Sequence, residues 1–132
     1  YTDTLNKVLE VMEGHFVRGY ANNQKPGTDI ELLPGAVDEA DAFLSDDAEA
    51  RQRLARVAGL IEGFETPYGM ELLATVHWVA HHASPGTAEP ARDVDQAISA
   101  VHAWNSRKRQ MFQPDHVRVA WSHLTDAGWI CH

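Results

Sequence analysis

Apolar residues recur at helical spacing along most of this chain, and glycine, proline or asparagine residues interrupt the pattern between stretches. Apolar side chains three and four positions apart lie on one face of a helix, so each stretch predicts an amphipathic helix. We expect helices over roughly 3–18, 37–44, 48–65, 67–82, 91–105 and 114–126. Residues 29–33 alternate polar and apolar, which is typical of a short strand or an extended linker. The predicted fold class is mainly α, a compact helical domain with at most one or two short strands.

Three residues mark helix boundaries. Thr66 and Pro67 predict an N-cap followed by the first helical residue, and Gly128 predicts the C-cap of the last helix. A glycine-capped helix that turns into a strand near Trp129 is similar to the close of a winged-helix core, so the C-terminal part is predicted to be winged-helix-like. The expected core face is Leu54, Val57, Ala58, Ile61 and Phe64 in the helix over 48–65, and Leu72, Leu73, Val76, Val79 and Ala80 in the helix over 67–82.

The negative charge of the chain is concentrated in one segment. Residues 28–50 contain eight acidic residues and no Lys or Arg, which equals the net charge of −8, so the remainder balances. Such a segment repels a phosphate backbone and attracts a basic surface, an effect that salt screens. We therefore expect a basic protein partner rather than direct nucleic-acid binding, with a merely solvated face as the alternative. The candidate partner-binding residues in this segment are Asp38, Glu39, Asp41, Asp46, Asp47 and Glu49.

Trp78 is a further candidate contact residue. Trp78 lies outside the core face expected for the helix over 67–82. Its side chain is therefore expected to point sideways, next to His77, His81 and His82. Aromatic residues ringed by polar ones are frequent anchors of protein interfaces. We therefore predict that Trp78 contacts a partner, and we expect the other tryptophans, Trp104, Trp121 and Trp129, to lie in the core.

Two alternative functions rest on other residues. A winged-helix DNA-binding module would use the basic cluster Arg107, Lys108, Arg109 and Arg118. A metal site would use His77 and His81, which are four residues apart on a predicted helix. The zinc-protease pattern requires Glu directly after the first His, and Trp78 occupies that place. A third ligand would have to come from Glu71, His102 or His123.

Chemical motifs are otherwise missing from the sequence. The single cysteine, Cys131, allows no internal disulfide, which favours the cytoplasm. There is no Gly-x-Ser-x-Gly motif, no glycine-rich phosphate loop and no apolar run approaching the ~20 residues of a membrane span. We predict no catalytic residue, no metal and no cofactor in this chain.

The sequence resembles a known bacterial family in four stretches that span nearly the whole chain. They are MEGHF with RGY (12–20), ELLPGA (31–36), LIEGFETPYGMELLATVHWVA (60–80), and AVHAWNSRK (100–108) with Phe112 and PDHVRVAW (114–121). These stretches are similar to the region that follows the macrodomain in DNA ADP-ribosyl glycohydrolase antitoxins.

The resemblance implies a function that composition alone does not. In that family the macrodomain removes ADP-ribose from thymidine in DNA, and the C-terminal part binds the toxin, an NAD-dependent DNA ADP-ribosyltransferase. Only the second part is matched, so we expect residues 1–132 to form a single toxin-binding domain, a fragment without the macrodomain and without enzymatic activity. The implied mechanism is DNA mimicry, in which the acidic surface occupies the DNA groove of the toxin.

Overall fold

The computed structural model describes residues 2–20 and 29–131 and confirms the mainly helical fold class. The helices are α1 (Thr2–Met12), α2 (Ala36–Leu44), α3 (Ala48–Ile61), α4 (Pro67–His81), α5 (Val94–Trp104), α6 (Ser106–Met111) and α7 (Pro114–Asp126), and the strands are β1 (Val17–Arg18) and β2 (Glu31–Leu32). Within these ranges, no helix is long and apolar enough to cross a membrane. Contacts cluster in two units, residues 1–53 and 54–132, and the assignment of both to one toxin-binding domain stays a prediction.

The first helix is shorter than predicted. It ends at Met12 rather than near residue 18, because Gly14 adopts a left-handed φ of 80° and its amide donates to the carbonyl of Val17 at 2.8 Å. The chain then runs into β1, which pairs antiparallel with β2, with Val17 opposite Leu32. Of the two alternatives left open for residues 29–33, the structure shows the short strand, and its partner strand lies where we expected the first helix to continue.

The apolar stripes of the first three helices are largely exposed. The 14 residues of α3 include none that is buried, and Leu54 has 57% of its surface exposed. The prediction that Leu54, Val57 and Ala58 belong to the core is thus wrong. Phe64, in the turn after α3, is half-buried and packs against the core as expected. Periodicity identified an amphipathic helix here, but this face has no partner that buries it within the described residues.

The core of the second unit is built on α4, α5 and α7, as the sequence predicts. Thr66 caps α4, since its hydroxyl accepts from the amide of Gly69 at 2.9 Å, and Pro67 is the first helical residue. Buried apolar residues on the three helices include Leu72, Leu73, Val76, Val79, Ala97, Val101, Val117, Ala120, Trp121 and Leu124. Trp104 and Trp129 are only half-buried and pack against the edge of this core.

Two details near the C-terminus differ from the prediction. The helix α6 was missed, and it begins because the side chain of Asn105 accepts from the amide of Lys108 at 2.8 Å. Gly128 follows α7 with a φ of 73°, in agreement with a glycine cap, but residues 129–131 form no strand. The winged-helix-like character of the C-terminal part stays a prediction, since no strand follows α7 within the described residues.

Substitution of alanine for each of two helical glycines should change the stability of the protein in opposite directions. A Cβ on Gly69 would lie 2.6 Å from the carbonyl oxygen of Phe64, so we expect Gly69→Ala to destabilise the protein by about 1–3 kcal/mol. A Cβ on Gly59 would meet nothing within 4 Å. Gly59→Ala should stabilise the protein by roughly 0.5–1 kcal/mol, because alanine is the better helix former. Thermal unfolding of both variants measures these changes in stability. If both variants are stabilised or both are destabilised, the close approach at Gly69 is contradicted.

Candidate protein-binding surface

The acidic residues singled out in the sequence are all exposed and follow one another along α2 and the start of α3. Asp38, Glu39 and Asp41 lie in α2, Asp46 lies in the turn after it, Asp47 directly precedes α3, and Glu49 lies in the first turn of α3. We call these six residues the acidic surface. Asp38, Glu39, Asp41 and Asp46 form no ion pair with any cation in the described ranges. Their charge is therefore directed at solvent rather than compensated by neighbouring side chains.

Two members of the acidic surface also have local structural roles. A carboxylate oxygen of Asp47 accepts from the amide of Ala50 at 2.8 Å, so Asp47 caps α3. Glu49 pairs with Arg53 one turn later at 2.7 Å, with both side chains largely exposed. An exposed pair of this kind contributes little to stability, so the pairing leaves Glu49 able to exchange partners.

Phe43 is a residue that sequence reasoning missed. It lies within the acidic surface, near the end of α2, and 86% of its surface is exposed. Its position relative to Ala36 and Ala40 follows helical spacing, which is typical of a core position, so periodicity offers no signal for its exposure. Aromatic side chains are enriched at protein-binding surfaces, so Phe43 joins the candidate contact residues.

Trp78 lies in the second unit with 42% of its surface exposed, and its ring packs on that of His82 with centroids 4.2 Å apart. On the other side of α4, the ring of His77 contacts that of His81 at 4.5 Å, and His81 Nε2 donates to the carbonyl of Trp129 at 2.8 Å. Partial burial, followed by repulsion from His81 and His82, lowers the pKa of His77. The exposed edge of Trp78 agrees with the expected sideways orientation, while its contact with a partner stays a prediction.

The histidines are not arranged as a metal site. Across the described residues, no group of three or more His, Cys, Asp or Glu side chains could hold a metal ion. Each proposed third ligand is engaged elsewhere: Glu71 with Arg107 and Lys108, His102 with the carbonyl of Phe112, and His123 with the carbonyl of Leu60.

Three of the four residues in the basic cluster proposed for DNA binding pair with two acids of the same unit, while Arg109 donates to the carbonyl of His102. Arg107 donates two hydrogen bonds to the carboxylate of Glu71, at 2.6 and 2.8 Å. Lys108 is buried, and its Nζ donates to Glu71 at 2.9 Å and to the hydroxyl of Thr75 at 3.0 Å. Arg118 pairs with Asp95 at 3.1 Å. The buried Lys108 is poorly placed to bind a phosphate, whereas the exposed Arg107 and Arg118 can exchange partners as Glu49 can, so the DNA-binding alternative stays a prediction.

The pKa of Glu71 reflects this arrangement. The hydrogen bonds from Arg107 are the largest cause that lowers the pKa of Glu71 from 4.5 to about 2, Lys108 adds to the lowering, and burial opposes it. A carboxylate whose pKa is lowered in the folded state binds fewer protons there than in the unfolded state, so it stabilises the fold above its unfolded pKa. The stabilisation by Glu71 should be complete above pH 4.5 and should be lost as the pH falls from 4.5 towards 2.

The variant Glu71→Gln tests this pH dependence. Its free energy of unfolding should fall below that of the natural chain at about pH 6, and the difference should shrink as the pH approaches about 3. Urea unfolding at a series of pH values measures both quantities. The matched control is Glu62→Gln, at an exposed position after α3, which should follow the natural chain throughout. A difference for Glu71→Gln that does not change with pH would contradict the ion-pair contribution.

Comparison with known proteins agrees with the resemblance inferred from the four stretches. The chain is 41% identical over 128 residues to a DNA ADP-ribosyl glycohydrolase of Thermus aquaticus, a match that covers 97% of this chain and 33% of the relative. It is 35% identical over 126 residues to proteins of the same name from Mycobacterium tuberculosis and Mycobacterium bovis, covering 91% of this chain and 34% of each. No family model matches the sequence. The chain thus spans about a third of the length of the relatives it matches.

Proposed function

We propose that this chain is the toxin-binding part of an antitoxin and that it inhibits a DNA ADP-ribosyltransferase toxin by occupying its DNA groove. The observation that carries the proposal is the acidic surface, whose members Asp38, Glu39, Asp41 and Asp46 are exposed and unpaired in the described ranges. A groove that binds DNA is lined by Lys and Arg side chains, which such a surface attracts. Similarity to DNA ADP-ribosyl glycohydrolases supports a partner that modifies DNA.

The proposed activity is inhibition by binding, not removal of ADP-ribose. The matched region is one third of the glycohydrolases, and the described residues contain no group of three or more His, Cys, Asp or Glu side chains that could hold a metal ion. A toxin that modifies DNA acts where bacterial DNA lies, so the proposed site of action is the cytoplasm.

An inhibition assay with this chain alone tests the proposal. The cognate toxin, NAD and a DNA oligonucleotide are incubated with increasing amounts of the chain, and ADP-ribosylated DNA is measured. We expect modification to stop when the chain is equimolar with the toxin, and an excess of oligonucleotide to restore it. In the control, the chain is added to DNA that is already ADP-ribosylated. Loss of the modification there would indicate hydrolysis, and full toxin activity in the presence of excess chain would refute the proposal.

A further inference from the structure

An apolar groove of about 400 Å³ lies in the first unit, between the end of α1 and the outer face of α2. Its lining residues are Met12, Phe16, Glu39, Ala40, Phe43 and Leu44. Only Glu39 among them is charged, so the walls are otherwise apolar. A volume of this size falls within the range of sites that bind small molecules or one or two protruding side chains.

The helix that forms one wall is almost unburied. Of the nine residues of α2, only Ala36 is buried, and Phe43 is the most exposed large apolar residue of the described chain. Helices this short are marginal in water unless their apolar face packs against something. The groove and the exposed Phe43 ring therefore form one apolar surface, which no other part of the described chain buries.

The charge around the groove indicates which kind of surface would cover it. Glu39, four residues before Phe43, lies on the same side of α2 and lines the groove, whereas Asp38 and Asp41, five and two residues before Phe43, lie on other faces of the helix. A second apolar surface with a neutral or acidic border would have to desolvate the Glu39 carboxylate without compensation. A border with Lys or Arg side chains would pair with it, which gives both attraction during approach and compensation after contact.

We infer that the toxin places an apolar side chain, flanked by Lys or Arg residues, in the groove against Phe43. The inference rests on the proposed function and adds a contact that charge mimicry of DNA does not supply. DNA presents phosphates, and a binder that relies on them alone loses affinity steeply with salt. An apolar contact is not screened, so part of the affinity of this chain for the toxin persists at high salt and depends on Phe43.

The experiment compares binding of the cognate toxin to the natural chain and to three variants, at low and at high salt. Phe43→Ala removes the anchor, Phe43→Leu keeps an apolar side chain, and Val119→Ala removes an apolar side chain that is 59% exposed in the second unit. Because Phe43 is so exposed, its removal should leave the fold unchanged, which circular dichroism checks. Hydrogen exchange of the natural chain with and without toxin localises the contact independently of any substitution.

We expect Phe43→Ala to weaken binding at least tenfold at high salt, Phe43→Leu to restore part of the loss and Val119→Ala to have no effect. Amides around Phe16 and Leu44 should be protected from exchange in the complex. Toxin binding that is equal for the natural chain and Phe43→Ala, without protection in α2, would overturn the inference and leave the proposed function standing. Failure of the natural chain to bind the toxin at either salt concentration would overturn both.

Discussion

A chain carrying Asp38→Lys, Glu39→Lys and Asp41→Lys together should associate with the toxin at least about tenfold more slowly at low salt than the natural chain. The three substitutions change the net charge from −8 to −2, and all of the change falls on exposed positions of α2. Electrostatic attraction between complementary surfaces accelerates association, and reversing the sign of one surface removes it. Stopped-flow fluorescence at low and at high salt measures the rate, and the difference between the chains should diminish as salt rises.

The control for this experiment separates the acidic surface from the total charge. Glu10→Lys, Glu62→Lys and Asp126→Lys together produce the same net charge of −2 at exposed positions outside the segment 28–50. This variant should associate with the toxin more rapidly than the variant in α2. If the two variants are equally slow, the total charge of the chain governs association, and the assignment of the acidic surface as the contact is wrong.

Replacement of Phe112 by alanine should lower the free energy of unfolding of the second unit by about 3–5 kcal/mol. Phe112 is 0% exposed and is the largest of the fully buried side chains. Its ring packs edge-on against that of Tyr68 with centroids 5.4 Å apart, and Lys108 Nζ lies 5.3 Å from its centre. Alanine would leave a cavity between helices that cannot close without moving them, and urea unfolding measures the cost.

Val119→Ala is the matched control in the same unit. Val119 lies on the exposed side of α7, so its truncation should change the free energy of unfolding by no more than about 0.5 kcal/mol. Phe112→Leu should fall between the two variants, because it removes less volume. A loss below about 1 kcal/mol for Phe112→Ala would mean that the core around α6 is not packed as described.

In the second half of the chain, the structure agrees closely with the prediction from the sequence. Thr66 with Pro67 marks the start of α4, and Pro114 marks the start of α7, because local capping and proline geometry determine these boundaries. The buried faces of α4, α5 and α7 match the apolar periodicity because these faces pack on one another. The one element missed there, α6, has six residues and no apolar stripe.

In the first half of the chain, the structure differs from the prediction for a physical reason. Periodicity reports that a helix has an apolar face, but not whether the surface that covers the face belongs to the same chain. Val8 in α1, Phe43 in α2 and Leu54 in α3 remain exposed, and the core assignment made for Leu54 was wrong. The end of α1 was misplaced for a different reason, since Gly14 and the strand pairing of β1 with β2 outweigh helical spacing after Met12.

The candidate surface was only partly accessible from the sequence. The sequence shows a segment with eight acidic residues and no Lys or Arg, and the structure leaves all eight exposed. The apolar groove next to it was not visible, because it depends on the turn at Gly14 that brings Met12 and Phe16 beside α2. Likewise, the basic cluster looked free in the sequence, while the pairing of Arg107 with Glu71 joins residues that are 36 positions apart.

Because the ammonium group of Lys108 is buried, its chemical reactivity measures how often the second unit opens. Amine-selective acylating reagents attack an uncharged, accessible amine, and Lys108 Nζ is enclosed by Glu71, Thr75 and the rings of Trp104 and Phe112. Lys7, on the exposed surface of α1, reacts without any opening and serves as an internal reference. The ratio of the two acylation rates, measured by mass spectrometry of the peptides, therefore reports local opening of this unit, both in cells and in the purified protein.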